Sequence, residues 1–537
     1  MKRRFVRNLF ILLFVTISAF SFYASATASL PTATVTATTT ETCTATSTIT
    51  EIPEGYESPT VTATATVTTT AVPEIIELIK FETHDGRAID FDGNTITNRV
   101  HIIGSVSSGL MDHWTLEYKS AGDTAWTVLN SSVSPVDNAI LALFDPTMLL
   151  NGIYELKLSL HETNGVITSI KSPAFVVEGN LKIGNFTLSF TDLSVPVAGV
   201  PLEVVRSYDS RVKTKGDFGI GWTLDIKNMR VEESCVQGES WNCFINPIIY
   251  HQGLLKIKPL RSHLVSITVP GGKVYRFEAL PNPSYNIVSM ESPFNIKYTQ
   301  LGGKGALLRP LDMTGNVLAY GEAPGNFTFV DSSSFAIYDP NLYELTTQDG
   351  TKYVISQSDG LISMEDLNGN KLTIDANGIH HTSGKDISFT RDSEDRITRI
   401  TAPDGTFVNY TYNGDGILET FADQLLTDPS QTSKLNPAPL HPYSIYTYNP
   451  GTSQLISIED PRGEMPIRND YDPITNRLVS HRDAAGNYIY YTHDIDSKTD
   501  STLDRDGAVT TFKYDDRGNI TEISSPAGVR SQARVEF

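Results

Sequence analysis

The sequence predicts an all-β protein, in which an immunoglobulin- or fibronectin-like β-sandwich is followed by an antiparallel ribbon of β-hairpin repeats. A motif ending in Asp or Asn recurs through the last third of the chain with a period of about 22 residues, and a fixed period of this size indicates a repeat architecture. Upstream, short segments alternate apolar and polar residues, as half-buried strands require. Helical periodicity is almost absent beyond the N-terminal segment.

The repeat motif is an aromatic or polar residue, followed two positions later by Tyr, Arg or His, and then by Asp or Asn. Its six copies end at positions 392, 413, 449, 472, 494 and 515. Subtraction gives steps of 21, 36, 23, 22 and 21 residues, so one insertion interrupts a regular series. The residues that define the repeat are Asp392, Tyr412, Asn413, Tyr448, Asn449, Tyr471, Asp472, Asp494, Tyr514, Asp515 and Gly518.

The last copy shows why the unit is a hairpin. Residues 509–514 are rich in the β-branched and aromatic side chains that strands prefer, and residues 519–523 form the returning strand. Between them, Asp515 can accept hydrogen bonds from backbone amides and Gly518 can adopt a positive φ. Because a single hairpin is marginally stable in water, we expect the copies to stack into a long antiparallel ribbon.

The N-terminal segments predict export. Residues 1–28 combine a basic start, an apolar stretch too short for a typical membrane anchor and small residues at cleavage positions, which is typical of a signal peptide. Residues 29–73 are mainly Thr, Ala, Pro and Val and are predicted to be a disordered stalk or linker. We therefore expect a secreted or cell-surface protein with no integral membrane span after signal cleavage.

Residues 74–179 are predicted to form the β-sandwich. Trp114, Leu116 and Tyr118 alternate with polar residues, which favours a strand with one buried face. Several such short strands within about a hundred residues are typical of immunoglobulin-like sandwiches. We expect Trp114 and Trp126 to be core residues rather than platforms for carbohydrate.

The remaining chain divides into two regions. Residues 180–340 are strand-rich and lead into the repeats, and residues 269–274 are predicted to form a hairpin. Residues 341–537 hold the repeats, with a Pro-rich insertion at 424–442 that accounts for the long step. Proline lacks the amide that a strand ladder uses, so this insertion is expected to leave the ribbon.

No pattern of residues predicts catalysis. The chain has a net charge of −20, which argues against nucleic-acid binding because phosphate contacts need clustered Lys and Arg. His380 and His381 are adjacent in a strand pattern and so face opposite sides, and no nucleophile elbow or nucleotide-binding glycine loop is present. The acidic segments at 392–395 and 504–507 are interpreted as turns rather than calcium sites. We expect no enzyme, no cofactor and no metal.

Three cysteines leave one alternative open. Cys235 and Cys243 flank a seven-residue segment and could form a disulfide in an exported protein, or remain free thiols. Cys43 lies in the Thr-rich segment and has no predicted partner.

These residues resemble the Rhs/YD-repeat family. Residues 514–520 are close to its Tyr-Asp repeat pattern, and residues 471–478 are a looser copy. An upstream block at 192–202, 206–210 and 218–222 is similar to the segment with which exported bacterial members lead into their repeats. The resemblance covers about residues 180–537 and implies a partial YD-repeat shell, a β-ribbon that spirals around a hollow interior.

The resemblance also implies functions. Related shells enclose toxic C-terminal domains in bacterial effectors and insecticidal toxin complexes, and teneurins use a similar shell for extracellular contact. Compared with the full pattern, this sequence has few repeats, no self-cleavage region and no domain after the repeats. We therefore expect a truncated or partial member of the family.

Three functional hypotheses follow. The first is a non-catalytic structural protein that scaffolds or encloses a protein partner or C-terminal cargo. The alternative is a surface adhesin that binds glycans or another cell. A weaker alternative is the remnant of a polymorphic toxin that lacks its effector domain.

Overall fold

The structure, a computed structural model, describes residues 74–244, 254–270, 272–282, 287–289, 293–321, 325–427, 439–515 and 518–525. The predicted signal peptide, the Thr-rich stalk, Cys43 and most of the Pro-rich insertion lie outside these residues. The all-β prediction is confirmed. In the described part of the chain, helical structure is limited to two 3-10 turns and one short α-helix, at Pro146–Met148, Asp225–Lys227 and Gln424–Thr427.

Ten strands form the N-terminal β-sandwich. They are β1 Ile75–Glu82, β2 Ala88–Ile89, β3 Thr95–Ile96, β4 Val100–Ser107, β5 Met111–Ser120, β6 Thr127–Ser132, β7 Val136–Phe144, β8 Gly152–Glu162, β9 Ile167–Lys171 and β10 Phe175–Val177. One sheet has the order β2-β1-β4-β7, and the other has the order β3-β10-β8-β5-β6 with β9 beside β8. The predicted sandwich architecture is therefore present.

The sandwich core follows the alternation in the sequence. Trp114 and Leu116 are 2% and 0% exposed, and every second residue of β8 faces the same interior. Phe81 packs edge-on against Phe175, with ring centroids 4.8 Å apart. The expectation that Trp126 is also a core residue is wrong: it lies in the connection before β6, partly exposed, beside lysine side chains.

The region that leads into the repeats contains three sheets. Five short strands come first: β11 Thr187–Val195, β12 Leu202–Asp209, β13 Lys215–Gly216, β14 Gly219–Ile220 and β15 Trp222–Leu224. They form the sheets β11-β12-β15 and β13-β14. A nine-stranded sheet follows, ordered β16-β19-β20-β22-β24-β25-β17-β18-β21.

The nine-stranded sheet contains the predicted hairpin at residues 269–274. The hairpin is confirmed, because these residues join β19 to β20. The strands are β16 Arg230–Glu233, β17 Trp241–Phe244, β18 Leu254–Pro259, β19 Leu264–Thr268, β20 Val274–Asn282, β21 Ile287–Ser289, β22 Phe294–Leu301, β24 Asn316–Gly321 and β25 Gly325–Asp331. The pairs β19–β20 and β20–β22 are antiparallel.

The repeats form one antiparallel sheet of eighteen strands, which we call the ladder. Strand β23 pairs with β26, and from there each strand pairs with the next in sequence as far as β42. The first nine strands are β23 Leu307–Pro310, β26 Leu342–Thr346, β27 Lys352–Ser356, β28 Gly360–Glu365, β29 Lys371–Ile374, β30 Gly378–His381, β31 Asp386–Arg391, β32 Ile397–Thr401 and β33 Phe407–Tyr412. The ladder therefore begins upstream of the first predicted repeat.

The second half of the ladder contains the remaining repeat copies. Its strands are β34 Leu418–Asp423, β35 Ser444–Tyr448, β36 Leu455–Glu459, β37 Ile467–Tyr471, β38 Leu478–Arg482, β39 Tyr488–Asp494, β40 Thr499–Leu503, β41 Val509–Tyr514 and β42 Ile520–Ser524. β34 and β35 pair directly across the Pro-rich insertion, so the insertion does not interrupt the sheet.

A β-bulge recurs along the ladder. The register shifts by one residue immediately before Arg391, Tyr412, Tyr448, Tyr471 and Tyr514, each of which precedes the Asp or Asn that ends a repeat motif. A bulge bends its strand and increases the local right-handed twist. Repetition of this bend at one point in successive hairpins curls the ladder, which is the curvature that a shell requires.

One hydrophobic core joins the ladder to the region before it. The same cluster contains Leu202 and Trp222 from the short strands, and Leu345, Leu418 and Ile458 from the ladder. Burial of each such large side chain contributes about 1.5–3 kcal/mol. None of the helices in the described residues has the length and apolarity needed to cross a bilayer.

Candidate functional site

A buried arginine of the region before the repeats contacts several side chains of the ladder. Arg206 lies on β12 and is 1% exposed. Its Nε donates to Asp192 Oδ2 at 2.7 Å, and its Nη2 donates to Asp192 Oδ1 at 3.1 Å. A paired carboxylate is what a fully buried guanidinium needs, because an unpaired buried charge is strongly destabilising. We call residues 180–232, which carry this ion pair, the lead-in segment.

Two ladder tyrosines add hydrogen bonds to this ion pair. Arg206 Nη2 donates to the Tyr446 hydroxyl at 3.2 Å, and the Tyr410 hydroxyl donates to Asp192 Oδ2 at 2.8 Å. Burial raises the pKa of both tyrosine hydroxyls above the ordinary value. Both therefore keep their protons, and the ion pair is tied to two strands of the ladder.

Aromatic rings surround the Arg206 guanidinium. Its carbon lies 4.7 to 5.5 Å from five ring centroids, those of Trp222, Phe421, Phe190, Tyr446 and Tyr410. A planar, weakly hydrated guanidinium stacks well on such faces, and each desolvated contact of this type contributes about 2 kcal/mol. Arg206 Nη1 is buried without a hydrogen-bond partner, so the rings are its surroundings.

A second set of contacts lies next to the arginine. Trp222 Nε1 donates to the Tyr448 hydroxyl at 2.8 Å. The Tyr208 hydroxyl accepts from the Leu455 amide at 2.8 Å and donates to the Ser453 carbonyl at 3.3 Å. The lead-in segment thus supplies partners to polar groups at the turn end of the hairpin β35–β36.

The lead-in segment contacts the ladder along much of its length. The Asp217 carbonyl accepts from the Ile397 amide at 2.8 Å, and the Gly184 carbonyl accepts from the Leu478 amide at 2.8 Å. Further along, Asn180 Nδ2 donates to Asn519 Oδ1 at 3.1 Å. These contacts reach ladder residues from β32 to the turn before β42, so the segment acts as a spine on the inner face of the ladder.

Two glycines allow this close approach. Gly219, in the upstream block that carried the family resemblance, has φ +86°, and a Cβ there would lie 2.5 Å from the Gly416 carbonyl oxygen. Gly518 was predicted as a turn glycine, and its φ of +80° confirms that role. A Cβ at Gly518 would also overlap the Leu181 backbone amide, so the lead-in segment excludes any other residue there.

The predicted repeat residues lie in the turns and on the inner face of the ladder. Each Asp or Asn is the last residue of a strand or lies directly after it, and side-chain oxygens of four of them accept backbone amide hydrogens two to four residues on: Asp392, Asn413, Asp472 and Asp515. Asp494 does the same with the Ser497 amide at 3.0 Å, and the Asn449 amide donates to the Gln454 carbonyl at 2.8 Å. These side chains shape turns.

The repeat tyrosines project onto the inner face. Tyr412 donates its hydroxyl hydrogen to the Ile397 carbonyl, and Tyr471 donates to the Leu455 carbonyl at 3.1 Å. Tyr448 accepts from Trp222, and Tyr514 remains half-buried at the far end. Of the residues at this site, sequence reasoning did not find the pairing of Arg206 with Asp192, although both lie in the block that it singled out.

Cys235 and Cys243 are free thiols, so the disulfide alternative is not formed in the structure. Cys243 lies in β17, which is separated in the sheet from β16, just before Cys235, by five strands. Cys235 Sγ instead lies 3.5 Å from His263 Nδ1, and burial raises the pKa of this thiol to about 12. A thiol with a pKa this high is a poor nucleophile.

His380 and His381 differ in exposure. His380 has a side chain that is 43% exposed, whereas His381 is 5% exposed, which confirms that the two face opposite sides of their strand. Within the described ranges, His, Cys, Asp and Glu side chains form no group of three or more arranged for a metal ion.

This geometry defines a class of protein: an all-β repeat protein whose curled ladder packs on an upstream spine. Two family models match the sequence. The model described as "Domain of unknown function (DUF6531)" matches residues 180–241, and the RHS Repeat model matches residues 501–530. The chain carries an RHS repeat, and the resemblance to the Rhs/YD-repeat family is confirmed. None of the curated proteins matches this sequence.

Solved structures of toxin complexes are also similar to parts of this chain. The crystal structure of TcdB2-TccC3 is 11% identical over 85% of this chain and 31% of that chain, with a TM-score of 0.20. The Photorhabdus luminescens Tc holotoxin pore is 10% identical over 85% and 26%, with a TM-score of 0.19. This chain spans less than a third of the length of either, and at these scores the likeness carries no argument.

Proposed function

We propose that this chain is a non-catalytic, exported structural protein whose ladder scaffolds or encloses a protein partner or C-terminal cargo. The observation that supports this proposal is that the burial of residues decreases along the inner face of the ladder. Between β29 and β36, residues such as Leu372, Ile397 and Leu455 are fully buried against the lead-in segment and its neighbours. In strands β39–β42, by contrast, no residue is buried.

The uncovered strands carry the same kind of side chains as the covered ones. Tyr491 and His493 occupy the two motif positions held in β35 by Tyr446 and Tyr448, and β41 places Phe512 and a tyrosine there. In β35 these positions bind an arginine and a tryptophan of the lead-in segment. The His493 ring is already engaged by Asp500 at 2.8 Å and by the Leu478 carbonyl at 2.6 Å. A polypeptide lying on β39–β42 can use the positions of Tyr491, Phe512 and Tyr514 in the same way.

Export of this protein is supported by sequence alone. Residues 1–28 have the pattern of a signal peptide, and the net charge of −20 suits an acidic surface in solution. The non-catalytic part of the proposal is supported by the structural use of the repeat residues, whose polar atoms are engaged in turns and in contacts with the lead-in segment.

The proposal is tested with a cargo fused after Phe537. A small, unfolded polypeptide in that position is exposed to proteinase K, and its half-life is compared with that of the same polypeptide free in solution. We expect slower cleavage of the fused cargo, because a chain held on the inner face is inaccessible to the protease. The double variant Tyr491→Ser/Phe512→Ser is expected to remove the protection.

A matched control uses aromatics on the other face of the same strand. Tyr488 and Tyr490 stack with ring centroids 5.3 Å apart, and Tyr490 is 46% exposed. The double variant Tyr488→Ser/Tyr490→Ser removes two comparable rings and is expected to keep the cargo protected. Cleavage of the fused cargo at the rate of the free polypeptide in the unsubstituted protein contradicts the proposal.

A surface adhesin that binds glycans is the second candidate function. One observation favours it, the partly exposed tryptophan on the sandwich, where the sequence predicted a core residue. This surface is separate from the inner face of the ladder, so the two candidate functions can be tested independently.

A further inference from the structure

We propose that the outer face of the sandwich binds an anionic polysaccharide at a patch centred on Trp126. Three lysine ammonium groups lie close to the centroid of the Trp126 ring: Lys157 at 4.7 Å, Lys119 at 5.3 Å and Lys171 at 5.5 Å. We call these four residues the tryptophan–lysine patch. An aromatic ring ringed by cations provides one surface for a sugar ring and several groups for its acidic substituents.

The patch lies on the outer face because of strand alternation. In β8, Leu156 and Leu158 point into the core and are fully buried, so Lys157 between them points outward. Lys157 is paired in register with Lys171 on the neighbouring strand β9. Trp126 precedes β6, at the edge of this sheet, and its ring reaches across to the three lysines.

The arrangement of charge is costly without a ligand. Two lysines directly opposite each other on paired strands repel, and such like-charge pairs destabilise a sheet. Three carboxylates offset part of the charge: Glu117 pairs with Lys157 at 2.6 Å, Glu155 is opposite Lys119 in register, and the Asp123 carboxylate interacts with Lys119. Lys171, by contrast, is opposite Lys157 rather than a carboxylate, so its exposed ammonium group supplies local positive charge on a chain whose net charge is −20.

The contacts of the ammonium groups leave capacity for a ligand. Lys119 Nζ donates to the Asp123 carbonyl at 3.0 Å, which is a neutral acceptor. Lys171 is exposed, and an ammonium group has three donors in total. Carboxylate or sulfate groups along a sugar chain accept such hydrogen bonds strongly, since the bonds are charge-assisted.

A polysaccharide suits this surface better than an anionic membrane. A flexible sugar chain touches only the patch, whereas a flat bilayer also brings the rest of the acidic surface close to its negative lipids. The indole ring favours the apolar face of a pyranose, to which Trp presents a large, rigid contact area. The same outer face carries His113 and His161, stacked at 4.2 Å, as further polar groups.

The test uses heparin and polygalacturonate, with dextran as a neutral polysaccharide, and follows intrinsic tryptophan fluorescence. The chain has four tryptophans, and Trp114, Trp222 and Trp241 are at most 2% exposed. A change in fluorescence on binding therefore reports on Trp126. We expect a saturable change with at least one anionic polysaccharide, weakening as salt rises because the contacts are ionic, and no change with dextran.

Two variants separate the ring from the charges. Trp126→Leu, followed by retention on heparin–agarose, and the triple variant Lys119→Gln/Lys157→Gln/Lys171→Gln are each expected to weaken binding about tenfold or more, the equivalent of about 1.4 kcal/mol. The control Lys256→Gln/Lys297→Gln/Lys304→Gln removes three exposed lysines elsewhere and is expected to stay within about twofold of the unsubstituted protein.

Three outcomes overturn the inference: no saturable signal with either anionic polysaccharide, equal weakening in the control triple variant, or binding to phosphatidylglycerol vesicles without binding to the polysaccharides. Failure of the cargo-protection experiment leaves this inference intact, because strands β39–β42 and the tryptophan–lysine patch share no residue.

Discussion

Arg206 is the residue on which the inner face depends most. Its side chain and that of Asp192 are 1% and 2% exposed, and together they contact aromatic rings from the lead-in segment and from the ladder. A buried ion pair of this kind contributes little relative to a well-packed apolar pair, but loss of one partner leaves an uncompensated charge. The arginine therefore fixes which lead-in residues pack against which hairpin.

Substitution of Arg206 tests this role. Arg206→Met keeps a similar volume but leaves Asp192 buried and unpaired, so we expect the apparent free energy of unfolding to fall by about 3–5 kcal/mol. Urea unfolding followed by tryptophan fluorescence measures it. The second substitution Asp192→Asn in the same chain removes the stranded charge and is expected to restore part of the loss.

The matched control for this substitution is another arginine in an ion pair. Arg309 pairs with Glu344 at 2.8 Å, but its side chain is 66% exposed. Exposed pairs contribute less than about 1 kcal/mol, so Arg309→Met should have a small effect. Equal destabilisation by Arg206→Met and Arg309→Met would show that the buried pair does not organise the inner face.

At the scale of elements, five hairpins of the ladder combine a bulge with an Asp or Asn turn. The turn carboxylates accept hydrogen bonds from backbone amides. Asp366, for example, accepts a hydrogen bond from the Asn368 amide at 2.8 Å. An ionised carboxylate is the stronger acceptor, so these hydrogen bonds favour the charged form. The turns are therefore elements whose stability depends on the ionisation of their aspartates.

This dependence predicts how stability changes with pH. Hydrogen bonds from side chains and backbone amides lower the pKa of five turn residues, Asp366, Asp404, Asp472, Asp483 and Asp494. Because the folded pKa lies below the unfolded value of 3.8, their stabilisation is complete well above that value. It is lost as the pH falls below 3.8 through the folded pKa. We expect urea midpoints to decrease over this acidic range.

A variant with all five residues changed to Asn provides the comparison. Asparagine keeps an acceptor oxygen but does not titrate, so its urea midpoint should decrease less between pH 5 and pH 2.5 than that of the unsubstituted protein, where about 1.4 kcal/mol corresponds to a tenfold change in the folding equilibrium. The same decrease in both proteins would contradict the assigned role of these carboxylates.

The turns could be predicted from the sequence because their physics is local. Asp515 and Gly518 lie three positions apart, and the hydrogen bonds that they determine span four residues. The pairing of Arg206 with Tyr446 spans 240 residues, and no periodicity encodes it. The prediction that Trp126 is a core residue was wrong for a related reason. Alternation predicts which residues within a strand face inward, but this tryptophan lies in a connection, where alternation does not apply.

At the scale of the whole molecule, the lead-in segment and the ladder form one structure. They share a hydrophobic core, and the segment accepts hydrogen bonds from the ladder amides of Ile397, Leu455 and Leu478. The sandwich is joined to the same structure, since Glu232 on β16 accepts from the Ile153 amide at 2.8 Å, and Arg477 on the ladder pairs with Asp145 at 2.7 Å. No residue of the last ladder strands, β39–β42, is buried.

Native-state hydrogen exchange with mass spectrometry tests the shared core most directly. If the lead-in segment is the spine of the ladder, amides of β11–β12 and of β33–β36 should exchange in one cooperative opening with the same free energy, and those of β39–β42 should exchange at a lower one. Arg206→Met should accelerate exchange in β33–β36, although these strands are more than 200 residues away in sequence. Independent opening of the two regions, or exchange in β33–β36 that the substitution leaves unchanged, would contradict the account.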